Sequence, residues 1–199
     1  MRARSAHGAR DERGGALLEL AIVLPIIVIL LALILDTGLG FAAARDTSSA
    51  ARAGARVAAL SGDSRTADFR ALDAVRGQLI GSSDQLVGVA IYRSPPGGDG
   101  AVPDGCRPGE LGVAGTCNVY SGAAVAAFAP TDFASPNCAG DPDAMWCPEG
   151  RAADADDFVG VAVWTTHDPT VGLAVPDEGF HSLNDRAVFA LYFPDDLSP

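Results

Sequence analysis

Arg13-Gly14-Gly15-Ala16-Leu17-Leu18-Glu19-Leu20-Ala21-Ile22-Val23-Leu24-Pro25 opens an apolar run that continues to Leu35. Within the 20 residues from Ala16 to Leu35, Glu19 alone carries a charge. At about 1.5 Å of rise per residue such a helix is about 30 Å long, the thickness of a bilayer's hydrocarbon core. A secretory signal peptide has a shorter apolar region that ends in small residues at a cleavage site. This run ends instead at Asp36-Thr37-Gly38 and passes directly into amphipathic helix. The stretch reads as a membrane span.

Working outward, Arg2, Arg4, Arg10 and Arg13 precede the span against Asp11 and Glu12, whereas Asp36, Arg45 and Asp46 beyond it nearly balance. Arginine excess holds a short flank in the cytoplasm, so the expected orientation is N-terminus inside and C-terminal body outside. Glu19 lies about one turn inside the apolar run, where it either snorkels to the interface or pairs with a positive charge in an assembly. Pro25 removes one helix hydrogen bond and predicts a kink.

A short basic leader ending in Gly14, with Glu19 as the fifth residue after it and an apolar helix behind, resembles the processing site of type IV prepilins of the Flp/Tad class. In those proteins a membrane aspartyl peptidase cuts after glycine and leaves glutamate fifth. The wider stretch from Arg13 to Pro25, together with Ala50-Ala51-Arg52-Ala53-Gly54-Ala55-Arg56-Val57-Ala58-Ala59, is similar to the TadE/TadG family of pilus-assembly proteins. It departs from the family at Leu20, where an aromatic residue is usual. The resemblance implies processing between Gly14 and Gly15 and a role for Glu19 in assembly register. It also implies a set of partners: a prepilin peptidase, other pilins or pseudopilins, and a Tad membrane platform with its secretion ATPase.

The chain has 199 residues, enough for one span and one outer domain, with 14 arginines and no lysine against 25 acids. This net charge of −11 argues against nucleic-acid binding, which needs a basic footprint. The expected division is a basic leader at 1–14, a span with its helical extension at 15–60, and a head at 61–199. Beyond Asp36 the helix pattern persists but its texture changes from leucine and isoleucine to alanine. Ala50, Gly54 and Ala58 recur at four-residue spacing, a small-residue face that lets another helix approach closely. Arg45, Arg52 and Arg56 lie off that face.

Ser61-Gly62-Asp63 breaks the helix. Ser64 or Thr66 can cap a second one, with Phe69, Leu72, Val75 and Leu79 on one stripe and Gly81 as the stop. Strands are expected at Leu86 to Tyr92, Phe158 to Thr166 and Arg186 to Phe193. Asn118 to Phe128 is alanine-rich and expected as a short helix. The fold class is therefore α+β: a long N-terminal transmembrane rod carrying a small antiparallel-sheet head.

Cys106, Cys117, Cys138 and Cys147 all lie on the expected outside, in loop-rich sequence. Four cysteines allow three pairings, of which neighbour pairing would staple two Pro/Gly-rich loops. A zinc site with His167 or His181 is disfavoured because no C-x-x-C pair exists. Asp141-Pro142-Asp143 and Asp154-Ala155-Asp156-Asp157 offer oxygens of the kind calcium takes, but lack the glycine and glutamate of an EF-hand loop. They are expected to be solvated acidic loops. Trp146, Trp164, Tyr120 and Phe180 read as packing residues. No nucleophile elbow or phosphate-binding loop is present, so neither an enzyme nor a cofactor is expected. The reading is a TadE-like minor pseudopilin; the alternative is an uncleaved, membrane-anchored binding module.

Overall fold

The computed structural model describes residues 11–81, 83–151, 158–168 and 182–191. The leader before residue 11, His181, Phe180, the acidic stretch 154–157 and the chain end beyond 191 lie outside these residues. A single helix, α1, runs from Asp11 to Ser61 and passes through Pro25 without interruption. At about 1.5 Å per residue it is a rod of about 77 Å. Gly62, with φ at 53°, turns the chain, and α2 (Ala67–Gln78) returns against α1.

Four strands follow: β1 (Leu86–Ser94), β2 (Cys117–Ser121), β3 (Phe158–Thr166) and β4 (Ser182–Ala190). They form one antiparallel sheet in the order β2-β1-β3-β4. A short helix α3 (Gly122–Ala127) leaves the end of β2, capped by the Ser121 side chain accepting from the Ala124 amide at 3.3 Å.

Side-chain alternation along the strands separates two layers. Val89, Ile91, Val159, Val161 and Val163 face the helices, where they join Ala50, Ala51, Ala55, Ala58, Leu72 and Val75 in the main core. Tyr92, Ala162, Cys106 and Cys117 form a smaller cluster on the opposite face, under the loop between β1 and β2. Tyr92 lies over Gly160, where any Cβ would meet its ring. Its hydroxyl donates to the Gly100 carbonyl at 2.6 Å, fixing that loop to the sheet. Burial pushes the Tyr92 phenol up to about 12.

Three expectations need correction. Residues 118–121 belong to β2 and helix begins only at Gly122, because pairing with β1 and the cysteine cross-link at Cys117 outweigh a weak alanine propensity. The last strand starts at Ser182, four residues before Arg186, because it pairs with β3 over its whole length, Thr166↔Ser182 to Phe158↔Ala190. Thr66 is the N-cap of α2 but makes no capping hydrogen bond through its side chain.

Candidate functional site

The lower half of α1 presents its bulk outward. Leu17 is 68 % exposed and Ile34 67 %, and the leucines, isoleucines and valines between them are largely bare as well. Leaving such side chains in water forgoes about 1.5–3 kcal/mol each, a total on the order of tens of kcal/mol. This is one helix long and apolar enough to cross a membrane, and it fits a single-pass anchor. The Gly14–Gly15 bond lies about one turn inside α1, and nothing stands within 4 Å of where a Gly15 Cβ would be. Glu19 is exposed on the helix surface. Side chains on a helix lean toward its N-terminus, so a Glu19 carboxylate is directed back over the turn that begins at Gly15.

The upper half of the same helix buries only small side chains. Ala50 and Ala58 are fully buried. A Cβ on Gly54 would lie 2.6 Å from Val75 Cγ2, 3.2 Å from Val161 Cγ1 and 3.4 Å from the Ala71 carbonyl oxygen. Gly54 therefore meets α2 and β3 of the same chain and Ala50 and Ala58 join the same core, while Arg45, Arg52 and Arg56 stay exposed. Thr47 adds a polar pin, its hydroxyl 2.7 Å from that of Thr165 on β3.

The cysteines pair as neighbours, Cys106 with Cys117 and Cys138 with Cys147. The first ties the β1–β2 loop to the outer sheet face. The second closes the loop that lies across β2. Arg65 in the α1–α2 turn donates through Nε and Nη2 to Glu149 Oε1 at 3.0 and 2.8 Å, fastening that loop's end to the helices. These bonds, with the Asn137 amide, hold the Glu149 carboxyl below the usual range. Glu149 also approaches Cys138 and Cys147, but both sulfurs are spent in the disulfide. His167 is buried near the end of β3.

Beneath this loop lies a polar cluster that the sequence reading did not find. Asp68, on the buried face of α2, accepts from Asn118 Nδ2 and from the Tyr120 hydroxyl, each at 2.8 Å. The Arg151 guanidinium stands 2.7 Å from Asp68 Oδ1, with both side chains fully enclosed. Arg151 Cζ also lies 4.1 Å from the centre of the Trp146 ring, a cation–π contact. Asn118 clamps the Trp146 backbone, accepting from its amide at 2.8 Å and donating to its carbonyl at 2.9 Å. Burial, then the Asp68 charge, raises the Tyr120 phenol well above 10.0.

Asp143 joins this cluster and is fully buried, so the expectation of a solvated loop fails there; the Ser135 amide donates to Asp141 Oδ2 and β2 holds Trp146 through Asn118. The missed signals were present in part. Asp68 shares a helical stripe with Ala71, Leu72 and Val75, and Asn118 and Tyr120 alternate onto one face of β2. A carboxylate on an apolar stripe is the mark of a buried partner.

No curated protein and no solved structure matches the chain. A family model does match, and it covers the expected cleavage glycine, the apolar half of α1 and the small-residue face through Gly54. Over residues 14–56 this chain is similar to the family described as TadE-like protein.

Proposed function

We propose that this chain is a minor pseudopilin: a single-pass structural component that helps to build or prime a Tad-type pilus or the related secretion apparatus. The family match over residues 14–56 carries this reading, because it begins at the glycine after which a prepilin peptidase would cut. In the proposed orientation the basic leader stays in the cytoplasm and the head lies outside. Cleavage after Gly14 frees the Gly15 ammonium. The Glu19 carboxylate of the same or a neighbouring chain then pairs with it, and the two charges offset each other's burial and fix axial register. The membrane platform, the ATPase and the other pilins are the partners this role requires.

The test is intact mass and N-terminal sequence of the protein from native membranes, for wild type, Gly14→Ala and Glu19→Gln. A wild-type chain that begins at Gly15, with Gly14→Ala beginning at Met1, is the expected outcome. Glu19→Gln should be processed yet assemble poorly, since removing one side of a buried pair costs about 3–5 kcal/mol. A wild-type chain that still begins at Met1 would overturn processing and leave an anchored module. Normal pili from Glu19→Gln would overturn the pairing alone.

A further inference from the structure

Asp143 is enclosed, and among the described residues Arg151 is the one cation that faces it, already paired with Asp68. Asp143 is 0 % exposed, and among the described residues neither carboxylate oxygen has a hydrogen-bond partner. It does not cap the turn Ala144–Trp146 that follows it. The groups that face it are Asp68 from α2, Tyr120 from β2, Arg151 at the loop's end and Asp141 from its own loop. Arg151 is the one cation among them, and its Nη2 is committed to Asp68 and to the Trp146 carbonyl at 3.1 Å. Among the described residues Arg151 Nε and Nη1 have no hydrogen-bond partner.

Two buried carboxyls thus share one guanidinium, and their shares are unequal. Asp68 accepts from Asn118 and Tyr120 and pairs with Arg151; among the described residues Asp143 accepts from no other side chain. A proton entering the cluster therefore goes to Asp143, where it removes the one uncompensated charge.

We propose that Asp143 is a proton-operated latch: protonated, it lets the disulfide-closed segment 138–147 seat on α2 and β2, and ionised, it drives that segment off. The segment is built to move as a unit. Cys138–Cys147 closes it, and at one end Asn137 and Cys138 carry left-handed φ of 54° and 53°, a conformation that costs energy unless the seat holds it. Release would break the two Asn118–Trp146 backbone bonds and bare the Trp146 ring.

Burial, then the neighbouring Asp68, raises the Asp143 carboxyl from 3.8 to about 7. A folded pKa above the unfolded one means the seated form binds its proton more tightly. Seating is therefore strongest below pH 3.8, weakens as pH rises toward 7, and levels off above. In that window the opening equilibrium changes about tenfold per pH unit.

The experiment is backbone hydrogen exchange of the full chain in nanodiscs, corrected for intrinsic rates, from pH 5 to 8. Wild type should show opening of residues 144–147 that rises about tenfold per unit between pH 5 and 7, with β1 changing far less. Asp143→Asn should hold these amides at their acid-form protection throughout, and Asp141→Asn should keep the wild-type dependence. A pH-independent segment in wild type, or an undiminished dependence in Asp143→Asn, would overturn the latch. A carboxyl carbon titration of wild-type Asp143 with a midpoint near 4 would overturn it without recourse to any variant.

Discussion

The two halves of α1 are one uninterrupted helix in two different surroundings. From Leu17 to Leu35 the side chains are large and face outward. From Thr47 to Ala59 they are small wherever they are buried, and the head closes directly onto the backbone. The lower half is apolar on nearly every side, whereas the upper half carries Arg45, Arg52 and Arg56 on its exposed face. Their side-chain size differs as well. Lipid is fluid and fits around any outline, so a lipid-facing helix can carry bulk on every side. Protein is close-packed and solid, and a helix at its centre must leave room for valines from two neighbours.

The sharpest way to break this contrast is to attack what the upper half packs against. Asp68→Ala strips Arg151 of its closest carboxylate and Asn118 and Tyr120 of their acceptor, and should cost the head about 3–5 kcal/mol. Limited proteolysis and thermal melting would show the head lost, while carbonate extraction would find the lower half still in the membrane. Gly54→Leu tests the backbone contact itself, and overpacking there should cost about 3 kcal/mol in the same melting assay. A melt within error of wild type would mean that α1 is not tightly seated at Val75 and Val161. The smallest effect belongs below. Ile27→Ala should change head stability by less than about 0.5 kcal/mol, because Ile27 is exposed on the apolar half of α1.

Much of this architecture was legible from residues alone. Phe158 to Thr166 was found at both ends because a β-branched apolar run admits one reading. Residues 117–121 were not, since Asn118 and Ser121 resemble turn residues and the alanines after them suggest helix. The pairing with β1 that makes them a strand is a tertiary fact. The same division runs through the candidate sites. Gly14, Gly15 and Glu19 form a local motif, proposed from spacing alone. Asp68, Asn118, Tyr120, Asp143 and Arg151 come from four separate segments, and folding alone makes them neighbours. Asp143 in its proline-flanked loop looks like any solvated acid until α2 and β2 are laid across it.

The continuity of α1 has a mechanical corollary. No joint lies between the membrane and the head: Asp11 to Ser61 is one rod, and β3, β4 and α2 are mounted on its upper part like a wheel keyed to a shaft. A twist or an upward push applied to the span would reach the head along continuous helix. A flexible linker would absorb such a stroke, whereas this chain carries it about 42 Å, a length set by the roughly 28 helical residues between the middle of the span and the middle of the small-residue face.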